Sequence, residues 1–247
     1  MQNEWFSFKC KEFSFEGRRA MVVFPNEIED KKRWTLKTEY WGAFPETETA
    51  LLKLGFHAAY LENKTRVATR GECDAKHRFV QFISREYNLK AKAVLVGFSC
   101  GGAHAVNFAG IYPDDVDCMF LDAPVLNFLS YPGRWGNKET ESVWQKEFTA
   151  AYPQITRAKL LNFKNHPINY ADTIVKHKIP IIMLYGTEDR TVIYEENGKL
   201  LEEVFETVAE REKLFKVISR NYQGHNPHGL LNNCKEITDF IVEHAND

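Results

Sequence analysis

Short apolar runs alternate with amphipathic stretches along most of this chain, and turn residues mark each change. Arg19-Ala20-Met21-Val22-Val23-Phe24 reads as an early strand stopped by Pro25, and Arg33-Trp34-Thr35-Leu36-Lys37 as a shorter one. Pro45 opens a helix over residues 46–54, with Gly55 as its stop signal. Phe56 to Leu61 is the next strand. Between Lys76 and Tyr87, the positions of Phe79, Val80, Phe82, Ile83 and Tyr87 form a helical stripe. Ala93-Val94-Leu95-Val96 predicts a strand and residues 102–109 a helix. Cys118 to Leu121 follows Pro113 as a strand, and Ile179 to Tyr185 is an apolar run broken only by Pro180. A helix over 195–212, a strand over 214–218 and a helix over 234–244 close the series.

Strands alternating with helices predict an α/β fold, a mostly parallel sheet with helices on both faces, in one domain spanning 1–247. The rhythm breaks between Asn127 and Lys178. That insertion holds Phe128, Tyr131, Trp135, Trp144, Phe148, Tyr152, Phe163 and Tyr170. Interruptions of this length in a compact domain are usually functional. The expectation is a helical cap over the C-terminal edge of the sheet, with Tyr131 and Trp135 lining a substrate pocket.

Composition narrows the function classes. The chain has 247 residues, 44% of them hydrophobic, with 32 Lys+Arg against 34 Asp+Glu and a formal net charge of −2. That balance lacks the basic field that nucleic-acid binding requires. No run reaches the ~20 apolar residues that cross a bilayer, so no membrane partner is expected. No cationic stretch leads into an apolar one near Met1, which makes a cytoplasmic location the expectation. The five cysteines are widely spread without a C-x-x-C pair, so neither disulfides nor a zinc site is indicated. No metal or cofactor is expected, and these patterns say nothing of oligomeric state. Asn63-Lys64-Thr65 fits a glycosylation sequon, read here as coincidence.

Candidate chemistry centres on Gly97-Phe98-Ser99-Cys100-Gly101. Two glycines around a serine are weak evidence alone, but here a strand precedes them and a helix follows. That is the setting of a nucleophile elbow, a tight turn that lifts a serine hydroxyl above a sheet. A serine needs a base, and the base an orienting acid. Asp189 follows the Ile179–Tyr185 strand, with Glu188 beside it as the lesser choice and Asp122, at another strand end, as an alternative. His225 follows the last strand by the short turn Asn221-Tyr222-Gln223-Gly224, with His228 as its competitor. One oxyanion donor is expected at the Cys100 backbone N–H. The second is expected in Leu36-Lys37-Thr38, with Leu36 the assigned residue. His104, on the helix behind the elbow, reads as a packing residue.

Further motifs extend the pattern: Trp41-Gly42-Ala43-Phe44-Pro45, Leu51-Leu52-x-Leu54-Gly55-Phe56-His57, Asp122-Ala123-Pro124-Val125, Ser130-Tyr131-Pro132-Gly133 and Gly224-His225-Asn226-Pro227-His228-Gly229-Leu230. With the elbow they resemble a bacterial branch of the α/β-hydrolase superfamily, over nearly the whole chain. The resemblance implies a serine hydrolase fold with Ser99, Asp189 and His225 as its triad, and an esterase acting on acylated carbohydrates among the activities. The branch usually carries arginine where Cys100 stands and a second consecutive histidine where Asn226 stands. The leading expectation is therefore a carboxylic-ester hydrolase acting on a small-molecule or carbohydrate ester, with His228 also near the substrate. A peptidase or thioesterase is the alternative within enzymes, and a non-catalytic ligand-binding protein the alternative outside them.

Overall fold

A computed structural model describes residues 3–133, 143–230 and 233–245 of the chain. The strands β1 (Asn3–Trp5), β2 (Phe8–Phe15) and β3 (Arg18–Val23) form an antiparallel meander at one edge. Next come β4 (Trp34–Lys37), β5 (His57–Leu61), β6 (Ala93–Phe98), β7 (Val116–Asp122), β8 (Ile181–Gly186) and β9 (Phe215–Arg220). All lie in one sheet of order β1-β2-β3-β5-β4-β6-β7-β8-β9, parallel from β5 to β9 and joined antiparallel at β3–β5.

The central strands read as unbroken apolar runs because both of their faces are covered. In β6, Ala93 and Leu95 enter one core with the helices α2 (Arg70–Glu86) and α3 (Cys100–Ile111). Val94, Val96 and Phe98 point the other way, into a core with α1 (Glu46–Lys53) and α9 (Lys235–His244). β7 and β8 divide their side chains in the same alternation.

Four elements depart from the sequence reading. β1 and β2 were hidden because β1, the edge strand, has only three residues and the outward positions of β2 are charged or polar. Helix α2 starts at Arg70, ahead of the apolar stripe, because the Thr69 side chain caps it by accepting from the Glu72 N–H. The helix expected over 195–212 is split into α7 (Gly198–Glu206) and α8 (Arg211–Leu214). Its start is displaced by Asn197, whose buried side-chain carbonyl accepts the N–H groups of Leu126 and Asn127.

Within the insertion the structure describes α4 (Val143–Ala151), α5 (Arg157–Leu160) and α6 (Ala171–Lys176). Phe128, Phe148, Leu160 and Phe163 pack together on Cys100, Ala103 and Val125, above the start of α3. Ala171 and Ile174 of α6 instead join the core on the α2/α3 face, so the last part of the insertion covers the sheet.

One buried side chain of the core sets a pH dependence. His57 on β5 lies edge-on to Phe24 with no partner at Nδ1 among the described residues, and burial pushes its pKa from 6.5 down to about 4, against a smaller upward pull from Glu29. His104 is held down in the same direction by burial and by Lys76. A histidine whose folded pKa is depressed binds fewer protons folded than unfolded, so stability is lost as pH falls from 6.5 towards 4. At ~1.4 kcal/mol per pH unit, His57 alone accounts for about 3 kcal/mol. Urea midpoints should fall across that window, and less steeply in His57→Gln; identical slopes would contradict the assignment.

Candidate active site

Ser99 sits between the end of β6 and the first residue of α3 with φ 52° and ψ −119°, a left-handed conformation that a serine rarely adopts. Surrounding contacts hold it there. Its N–H donates to Asp122 O at 2.9 Å, and its carbonyl accepts from Gly102 and Val125 N–H at 3.0 Å each. The glycines permit close approach. A Cβ on Gly97 would stand 2.7 Å from Gly101 O, and one on Gly102 would stand 2.3 Å from Pro124 Cβ. Thr38 ties the next loop to the elbow, its hydroxyl donating within 2.7 Å of Gly101 O.

Three of the expected residues meet. His225 Nε2 lies 3.0 Å from Ser99 Oγ, and His225 Nδ1 lies 2.7 Å from Asp189 Oδ2. The other Asp189 oxygen accepts the N–H groups of Thr191 and Val192 at 2.8 and 2.9 Å. Burial raises the Asp189 pKa, but His225 and those two N–H groups outweigh it and hold the carboxyl below its ordinary value. The turns carrying acid and histidine are locked together: Glu188 N–H donates to Gln223 O, and a Cβ on Gly186 would come within 2.4 Å of the Gln223 and Gly224 carbonyls. Glu188 itself is exposed.

Other expected residues stand elsewhere. Leu36 is not in the loop after β4. It is buried inside that strand, paired with Ala59 on one side and Leu95 on the other, so its backbone is committed to the sheet. The loop begins at Thr38, whose N–H is taken by Val96 O. His228 is 3% exposed behind His225, its ring stacked on Phe98 and edge-on to Phe44, so it offers a substrate no surface. Its Nδ1 lies 3.3 Å from Asp122 Oδ1. Asp122 is fully buried and faces Arg220 and His228, away from the base. Tyr131 is half-buried against the aromatic cluster of the insertion. Trp135 lies outside the described residues. Cys100 opens α3, where backbone N–H groups point out of the helix at its positive end.

Tyr40 and Arg66 escaped the sequence reading, as did the buried setting of Lys37. The Tyr40 hydroxyl lies 2.9 Å from Cys100 Sγ, which brings the loop after β4 over the elbow. Arg66 pairs with Glu147 of α4 at 2.9 Å and ties the loop after β5 to the insertion. Beneath Phe98, the Lys37 ammonium sits 3.6 Å from the ring centroid and 2.6 Å from Glu48. Burial lowers the Lys37 pKa and Glu48 opposes it. The one signal available for Tyr40 was its place just after a parallel strand, where loops carry function.

Among the described residues no cluster of His, Cys, Asp or Glu could hold a metal ion, and no helix is long and apolar enough to cross a membrane.

Comparison with known proteins agrees with this architecture. A family model described as the alpha/beta hydrolase fold matches residues 59–137. No curated protein matches the sequence. Among solved structures, Est1E from Butyrivibrio proteoclasticus is similar with a TM-score of 0.65 at 13% identity, covering 95% of this chain and 98% of that one. An S-formylglutathione hydrolase from Agrobacterium tumefaciens gives 0.66 at 12%, covering 99% and 98%. Porphyromonas gingivalis dipeptidyl peptidase 4 gives 0.68 at 13%; the match covers 96% of this chain but only 35% of that longer protein.

Proposed function

On the α/β-hydrolase fold that this chain has, we propose a serine esterase that cleaves carboxylic esters of small molecules or carbohydrates through an acyl-serine intermediate. The reading rests on the hydrogen-bonded line from Ser99 Oγ through His225 to Asp189. As Ser99 Oγ bonds to the ester carbon, its proton passes to His225 Nε2. Asp189 holds the Nδ1–H tautomer and stabilises the imidazolium. Charge on the former carbonyl oxygen meets the Cys100 N–H at the start of α3, a donor type that contributes about 2.7–4 kcal/mol in such sites. The second donor belongs to the loop that follows Thr38, whose own N–H is taken by Val96 O, with the Tyr40 hydroxyl a group of that loop at the elbow. Collapse breaks the ester C–O bond, and His225 returns the proton to the departing alcohol. Water, deprotonated by His225, then attacks the acyl-serine; the acyl–Oγ bond breaks, His225 returns the proton to Ser99 Oγ, and the acid leaves.

Peptidases and thioesterases share this acyl transfer, so the acceptor atom is decided by assay. A panel of p-nitrophenyl acetate, acetylated sugars, an acyl thioester and an aminoacyl anilide is expected to give the highest kcat/KM on oxygen esters. A higher value on the thioester or the anilide would replace the esterase reading.

A further inference from the structure

Behind His225 lies a second, fully buried set of polar groups that takes no part in the proton transfers. Asp122, the last residue of β7, and Arg220, the last of β9, form an ion pair at 2.6 Å with side-chain exposures of 0% and 3%. Both also grip the segment just after the base. Asp122 Oδ2 accepts the Gly229 N–H at 2.6 Å, and Arg220 Nη1 donates to the carbonyls of Pro227 and, at 3.4 Å, Gly229. His228, inside that segment, is wedged between Asp122 and the ring of Phe98, the residue before the nucleophile. Its ring centroid is 4.9 Å from that of His225. Two strand ends, the elbow and the base loop are thereby connected through one pair of side chains.

Stability is a poor account of such a pair. Burying two charges costs desolvation that a well-packed apolar pair would avoid, and the buried Arg220 Nε finds no acceptor among the described residues. What the pair does supply is direction. A carboxylate and a planar guanidinium fix both the donor and the acceptors of residues 227–229.

We propose that Asp122 and Arg220 are positioning residues that hold the 224–229 loop so that His225 Nε2 stays aligned on Ser99 Oγ. This rests on the reading of Ser99, His225 and Asp189 as the reacting set. Arg220→Lys keeps the charge beside Asp122 but cannot span Asp122 and both carbonyls at once. Displacing the base by a fraction of an ångström should lower kcat about 10- to 100-fold with KM nearly unchanged. Because the effect passes through His225, it should shrink to about threefold or less in an Asp189→Asn background, where the imidazole is already misoriented. Should Arg220→Lys fail to fold by circular dichroism, Asp122→Asn carries the same test, since it keeps an acceptor for Gly229 N–H. Wild-type kcat, a change confined to KM, or the full loss repeated in the Asp189→Asn background would overturn the proposal. If Ser99→Ala keeps its turnover, the reading of the site has failed. If Ser99→Ala is inactive and Arg220→Lys behaves as wild type, the positioning role alone has failed.

Discussion

Ser99→Ala is expected to lower kcat on p-nitrophenyl acetate by about 10⁴- to 10⁶-fold while leaving the unfolding transition in place. The size follows from the loss of covalent catalysis: with no alkoxide equivalent at the elbow, only donors and binding remain to accelerate attack by water. The adjacent thiol is not placed to take over the role. Cys100 is buried, with its sulfur against the Tyr40 hydroxyl. The fold should survive because the left-handed backbone at Ser99 is imposed by its neighbours, and alanine tolerates it about as well as serine. The same substitution separates enzyme from binding protein. A fluorophosphonate probe should modify wild type at Ser99 and leave Ser99→Ala unmodified. No adduct on wild type, or unchanged turnover in the variant, would remove Ser99 from the mechanism.

How much of this was legible in the sequence depended on the range of the forces involved. Strands β6, β7 and β8 could be read because burial on both faces demands unbroken apolar runs, and Val94–Val96, Cys118–Leu121 and Ile181–Leu184 supply them. The elbow was legible for a local reason. Gly97 and Gly102 stand where side chains would collide with the Gly101 carbonyl and Pro124, and a Cβ on Gly101 would press against Glu39 and Thr38. Asp189 and His225 were legible by their places just after strands. Leu36 was misplaced by two residues because nothing local marks where β4 ends; Thr38 takes up the ladder through Val96 O, and the loop starts there. His228 resisted assignment for a different reason. Its role depends on Asp122, Arg220 and Phe98, which reach it only through the tertiary fold. A sequence shows two histidines three residues apart; only packing turns one towards Ser99 and the other into the core.

That division leads to the second large effect. His225→Ala should cost kcat about as much as Ser99→Ala, because nucleophile and base act as one unit whose parts are not additive. The double variant should therefore be hardly slower than either single one. His228→Ala removes a buried ring and leaves a void beside Phe98, so its main expected effect is a loss of about 1–3 kcal/mol in stability, with a far smaller change in kcat. The Asp189 carboxyl is held below its ordinary value of 3.8 and keeps its charge as solutions become mildly acidic, so the orienting acid stays in place in both variants. Stopped-flow acylation measured for the two variants decides the matter: a larger loss in His228→Ala than in His225→Ala would move the base away from His225.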